Sequence, residues 1–245
     1  MANKQQPAPD AASRSILINF VLDRSGSMDS IQEATISGFN EFKNSQAAED
    51  GEAFFTLTLF DTEFDTLCNA IPIREVSDLD RRTYRPTGMT ALFDAIGHTM
   101  KITDDFVAAN HPDQVLFVIM TDGFENASRE YTSDRIFQMI EDRQKLAQYE
   151  FIYLGANQDS FAVARDMGVR AGRSLDYAAT SEGSRMAMTR ASHNVSAHRR
   201  HGQKMSATFF APEMDELGAI DPAVWKQMSP EERERHLDGG KEASA

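Results

Sequence analysis

Asp23, Ser25 and Ser27 alternate along Asp23-Arg24-Ser25-Gly26-Ser27, directly after the apolar run Ile16 to Leu22. One carboxylate and two hydroxyls on a short loop are hard oxygen donors, a set that suits Mg2+ or a similar divalent cation such as Mn2+ or Ca2+. Asp122 offers a second carboxylate after another apolar run, Gln114 to Met120, and Thr90 offers a third hydroxyl just before a helix expected from Ala91. Two aspartates only neutralise a divalent ion and hydroxyls add no charge, so a bound ion would stay electrophilic. A plainer reading exists for the same residues. Asp23 and Ser25 would make a turn, and Ser27 or Asp29 would cap the next helix. Asp61, Asn126 and Asn157 stand near expected strand ends, where they either line the rim of a site or serve turns.

These residues need elements that bring them together. Ile16 to Leu22 is nearly continuous in apolar β-formers, as expected of a strand covered on both faces. Gln114 to Met120 and Phe151 to Leu154 read the same way. Helical spacing appears at Ile36, Phe39 and Phe42, at Leu92, Ile96 and Met100, at Ile136, Met139, Ile140 and Ala147, and through Phe161 to Met167. Phe55 to Leu59 alternates with a period of two, and only Asp61-Thr62-Glu63 separates it from Phe64 to Leu67, a connection that suits an antiparallel hairpin at a sheet edge. With a short segment near Arg173 to Tyr177, the alternation predicts a Rossmann-like, doubly wound α/β fold. Its sheet is mostly parallel with one antiparallel edge strand, and helices cover both faces. In such sheets, sites gather at the carboxyl ends of the strands.

Around this domain, expected at residues 14–180, the pattern predicts a flexible N-terminus at 1–13 and a polar, partly helical C-terminal tail at 181–245. The tail is locally basic at Arg185, Arg190, Arg199, Arg200 and Lys204, and a capping box at Ser229-Pro230-Glu231-Glu232 predicts a short helix over Pro230 to Leu237. His193, His198 and His201 are spaced by five and three, so they do not all share a helical face and read as part of a solvated basic segment.

Composition narrows the function classes. The 245 residues are 41% hydrophobic and 26% charged, which is globular in character. A formal net charge of −13 repels phosphate backbones and anionic membranes, so neither nucleic acid nor a membrane surface is expected as a partner. The polar start, with Pro7 and Pro9, lacks the features of a secretory signal, and no apolar run is of membrane-spanning length, so a cytoplasmic location is expected. A lone Cys68 excludes an internal disulfide framework and reads as a packed thiol.

Asp23-Arg24-Ser25-Gly26-Ser27-Met28, Met89-Thr90-Ala91-Leu92 and Ile119-Met120-Thr121-Asp122-Gly123 together resemble the von Willebrand factor A family and its metal-ion-dependent adhesion site. The resemblance covers roughly Ile16 to Tyr177. More narrowly, Thr121 to Tyr131 and Phe151 to Asn157 look like stretches in stand-alone bacterial and phage members. The resemblance implies that Ser25, Ser27 and Thr90 ligate the ion, that Asp23 and Asp122 bind it directly or through water, and that one coordination position remains for a partner's carboxylate. One departure matters. The family often has Gly-Gly before the threonine, whereas this chain has Pro86-Thr87-Gly88-Met89-Thr90, which makes Thr87 a rival to Thr90.

The leading expectation is a non-catalytic, Mg2+-dependent protein-binding module, an intracellular adaptor or scaffold that captures an acidic side chain. The resemblance extends the list of partners to AAA-type ATPases. A Mg2+-dependent phosphoryl-transfer enzyme is the main alternative. A haloacid-dehalogenase-like site would want an aspartate two residues after Asp23, where Ser25 stands, and no phosphate-binding Gly-Lys-Ser/Thr loop occurs. A third reading makes the ion purely structural and assigns partner binding to the tail.

Overall fold

The computed structural model describes residues 14–156, 159–201 and 209–210. The N-terminal segment, Asn157 and the helix expected over Pro230 to Leu237 lie outside the described residues. The elements are β1 (Ser15–Asp23), a 3-10 segment (Gly26–Ile31), α1 (Gln32–Ala48), β2 (Glu52–Phe60), β3 (Phe64–Pro72), a 3-10 turn (Ile73–Glu75), α2 (Leu92–Asn110), β4 (Gln114–Thr121), α3 (Ser133–Lys145), β5 (Tyr149–Ala156), α4 (Ser160–Asp166), β6 (Ser174–Tyr177) and α5 (Ser181–His201). The strands form one sheet in the order β3-β2-β1-β4-β5-β6. Every neighbouring pair is parallel except β2 and β3, the expected hairpin, which places an antiparallel strand at one edge. Rossmann-like topology, mixed edge and two-sided helical cover all match the sequence reading.

The apolar runs are continuous because the central strands are covered on both faces. On one face Phe20 meets Phe39 and Phe42 of α1 edge-on, with ring centroids 5.4 and 5.3 Å apart, and lies near Phe55 of β2. Such pairs add about 0.5–1.5 kcal/mol beyond the area they bury. On the other face Val21, Phe117, Ile119 and Phe151 pack with Leu92, Ile96 and Met100 of α2 and Ile136 and Ile140 of α3. Cys68 lies half-buried on β3, and burial raises its thiol pKa, in keeping with a packed, unreactive side chain.

Residues 181–201 belong to the stretch expected as a polar, partly helical tail. They form α5, and its Ala187, Met188, Ala191 and Val195 are buried in the same cluster as Phe20 and Phe39. Gly38 permits the close approach of α1 and α5, since a Cβ there would lie 2.9 Å from Met188 Cγ. Two of its basic residues are used in contacts with the end of α1. Arg199 donates to the Gln46 carbonyl (2.5 Å), at the electronegative end of α1, and Arg200 pairs with Glu49 (2.9 Å). Gln46 in turn donates to Ser196 Oγ (2.9 Å) and the Ser192 carbonyl (3.0 Å). The compact unit accordingly runs to Phe210, past the change of composition at residue 180. The stripe Met188, Ala191 and Val195 has helical spacing, but its small side chains give a weak hydrophobic signal. Met188→Ala is expected to lower the unfolding free energy by about 2–4 kcal/mol in a urea titration, whereas a residue on a free tail would change it by less than about 0.5 kcal/mol. Among the described residues no helix is long and apolar enough to cross a membrane.

Candidate metal centre

The sheet order reverses between β1 and β4, because the chain winds from β1 through β2 to β3 on one side and from β4 through β5 to β6 on the other. That reversal opens a crevice at the carboxyl ends of the two strands, where loops diverge and ligands commonly bind. The parallel register pairs Leu22 with Met120, so the next residues, Asp23 and Thr121, emerge side by side. Asp23 Oδ1 accepts from the Ser25 backbone N–H (2.6 Å) and Oδ2 accepts from Thr121 Oγ1 (2.5 Å). Ser25 and Ser27 hydroxyls lie 3.2 Å apart, and Ser27 Oγ donates to Asp122 Oδ1 (2.5 Å).

Thr90 completes the cluster from the segment before α2. It is buried, and a Cβ built on Gly123 would lie 3.1 Å from Thr90 Oγ1 and 3.8 Å from Ser27 Oγ. Glycine at 123 therefore leaves room between two loops that each present a hydroxyl. Thr87 is exposed and is tied in through its backbone N–H, which donates to the Arg24 carbonyl (2.8 Å). Of the two threonines, Thr90 is the buried one, placed beside Gly123 and the Ser27 loop. All five residues, Asp23, Ser25, Ser27, Thr90 and Asp122, are thus brought to one place.

The plainer reading accounts for only part of this arrangement. Asp23 does make a turn through its bond to Ser25 N–H. Ser25 occupies the N-cap position of the 3-10 segment without a side-chain cap bond, and Ile31, at the N-cap of α1, makes none either. The serine hydroxyls point to one another and to Asp122 instead of satisfying helix ends.

Electrostatics sets the two carboxylates apart from ordinary surface acids. Burial pushes the Asp23 pKa from 3.8 up to about 6, outweighing its hydrogen bonds to Thr121 and Ser25, and nearby Asp122 adds to the rise. Asp122 is raised as well, again chiefly by burial, with the Ser27 hydrogen bond opposing. Among the described residues neither forms an ion pair, since Arg24, the nearest cation in sequence, turns to Asp61 (2.9 Å). No group of three or more His, Cys, Asp and Glu is placed to hold a metal among the described residues. The donor set here is instead two carboxylates and three hydroxyls, which fits a hard divalent cation that would supply the missing positive charge. Asp23, Ser25 and Thr90 form a buried floor, while Ser27 is exposed and Asp122 half-exposed, so the cluster opens to solvent on one side.

Three contributors carry no role in the sequence reading. Thr121 orients Asp23 through Oγ1, and its hydroxyl at the last position of β4 is the signal that points to it. Tyr84, fully buried, donates from its hydroxyl to the Asp23 carbonyl (2.5 Å). Tyr177 does the same for the Thr121 carbonyl (3.4 Å). Both phenols are held well above their usual pKa, mainly by burial, so they remain donors at any ordinary pH. Nothing local in the sequence links Tyr84 to Asp23. Asp61 turns out to be a turn residue that accepts from Arg24 and from Glu63 N–H (2.9 Å). Asn126, by contrast, accepts from Thr90 N–H (2.9 Å).

No protein-family model matches the sequence, and no curated protein matches it. Solved structures do resemble the fold. Proximal thread matrix protein 1 from the mussel byssus, in the form with a zinc-occupied MIDAS motif, superposes with a TM-score of 0.53 at 14% identity over 74% of this chain. The chain spans about half of that protein's length, 48%. The vWF domain of the type V pili tip protein Mfa5 from Porphyromonas gingivalis gives 0.53 at 11% identity, covering 76% of this chain and 96% of that one. A von Willebrand factor type A protein from Catenulispora acidiphila gives 0.52 at 13% identity, covering 77% and 43%. Taken with the strand order and the strand-end cluster, these likenesses establish that the chain has the fold of a von Willebrand factor A domain.

Proposed function

We propose that this chain is a non-catalytic, metal-dependent protein-binding module that works as an intracellular adaptor or scaffold. Asp23, Ser25, Ser27, Thr90 and Asp122 would hold a divalent cation, Mg2+ or Mn2+, and an Asp or Glu of a partner protein would meet it on the open side. The observation that carries this reading is the pair Asp23 and Asp122. They are partly or wholly desolvated, have no cation partner among the described residues, and stand beside two serine hydroxyls that cap no helix. A bound divalent ion would supply Lewis acidity toward a carboxylate. The protein's own part is to keep the donors in place from below, through Thr121, Tyr84 and Tyr177, while leaving Ser27 and Asp122 accessible. The mussel structure with a zinc-occupied MIDAS motif supports a cation at the equivalent place in this fold.

Calorimetric titration of the full chain with Mg2+ or Mn2+ tests the first half, with one ion per chain expected. Peptides bearing Asp or Glu, and their Asn or Gln twins, test the second half in the presence of Mg2+ or chelator. Binding is expected for the acidic peptides alone and only with the ion. Saturable peptide binding that survives chelation and Asp23→Ala would overturn the metal-dependent reading.

A further inference from the structure

The stretch Gly123 to Tyr131 has most of its polar groups committed to one neighbour. α2 starts after Ala91, which has no side chain able to cap it, so the first-turn N–H groups need acceptors from elsewhere. The loop between β4 and α3 supplies them. Glu125 Oε2 accepts from Phe93 N–H (2.9 Å) and Ser128 Oγ accepts from Asp94 N–H (3.0 Å). The loop is held in return, because the Asp94 carboxylate accepts from the N–H groups of Arg129 (2.7 Å), Glu130 (2.9 Å) and Tyr131 (2.8 Å). Thr90 is clamped on both backbone groups. Its N–H donates to Asn126 Oδ1 (2.9 Å), and its carbonyl accepts from Asn126 N–H (3.0 Å) and Ala127 N–H (3.2 Å).

We propose that Asn126 is a positioning residue for the cation, acting through Thr90, and that with Glu125 and Ser128 it makes the Thr90 and Asp122 loops one unit. This rests on the metal-binding reading above. Groups behind a ligand set its orientation, and their removal commonly weakens metal affinity about 10- to 100-fold. Without the Asn126 oxygen, Thr90 N–H loses its acceptor, and only the backbone N–H groups of residues 126 and 127, bonded to its carbonyl, still hold the segment that presents its hydroxyl. The Glu125 and Ser128 caps on α2 remain, so the fold itself persists.

Mn2+ and Mg2+ titrations of the full chain separate this from a general structural role. Asn126→Ala is expected to weaken binding about tenfold. Asn126→Asp, which keeps an acceptor oxygen, should stay near wild type. In a Thr90→Ala background, adding Asn126→Ala should produce no further loss, because the residue it acts through is gone. Urea unfolding in chelator should show each variant folded. Wild-type affinity in Asn126→Ala, or losses that multiply in the double variant, would overturn the proposal while leaving the metal reading intact. A wild-type chain that takes up neither ion would overturn both.

Discussion

Asp23→Asn is expected to make the ion-free protein more stable at pH 7.5 while removing most of its affinity for divalent cations. Asp23 is fully buried, and its pKa near 6 against an ordinary 3.8 means that ionising it within the fold is unfavourable. The difference corresponds to roughly 3 kcal/mol at pH values above both. Asparagine keeps the oxygen that accepts from Ser25 N–H and places an amide donor toward Thr121 Oγ1, which can accept as well as donate, so the local bonds are conserved. Only the charge is lost. Urea titrations in chelator should therefore show a midpoint above that of wild type, with an unchanged slope. Calorimetry with Mg2+ should show affinity reduced about 100-fold or more, since a carboxylate has been replaced by a neutral ligand and the ion is left undercompensated. A variant destabilised in chelator would show that Asp23 serves the fold through its charge. That result would sink the idea of a carboxylate kept costly for the sake of a cation.

The second large effect is on pH. In the unfolded chain Asp23 releases its proton near 3.8, and in the fold near 6. Between those values the folded state holds a proton that the unfolded state has given up, so the stability of the ion-free protein falls as pH rises through the window. Below it both states are protonated and the penalty is absent, and above it both are ionised and the penalty is complete. Cation binding runs the opposite way, because only the carboxylate is a ligand. Affinity should climb about tenfold per pH unit up to about 6 and then level off. The raised Asp122 contributes in the same direction. Mn2+ titrations from pH 4.5 to 8 would measure the slope, and Asp23→Asn should flatten most of it. A pH-independent affinity in wild type would contradict this account of the site.

How far these results could be foreseen differs from residue to residue. Ile16 to Leu22 and Gln114 to Met120 announce central strands because burial on both faces leaves no place for polar side chains. The loop Asp61-Thr62-Glu63 announces the hairpin because it is too short for a crossover. Asp23, Ser25, Ser27 and Asp122 were legible because their chemistry and strand-end positions coincide, and strand-end position follows from hydrophobic pattern alone. Where each element docks is a different matter. The composition of residues 181–201 predicts a polar, partly helical tail, yet Met188 and Val195 enter the core, and Gly38 on a distant helix leaves room for Met188. No local pattern records that vacancy.

The same division runs through the site. The sequence by itself determined a sheet with two aspartates and a set of hydroxyls at its carboxyl edge, since strand periodicity and loop chemistry are local properties. Only the tertiary structure places Thr90 buried beside Gly123 and leaves Thr87 exposed, because burial depends on how separate loops meet. It also decided that Asp23 is raised toward pH 6, because the folded chain buries its carboxylate deeply enough to outweigh the hydrogen bonds from Thr121 and Ser25. Burial depends on what the other elements exclude, and a linear sequence carries that information only through the fold.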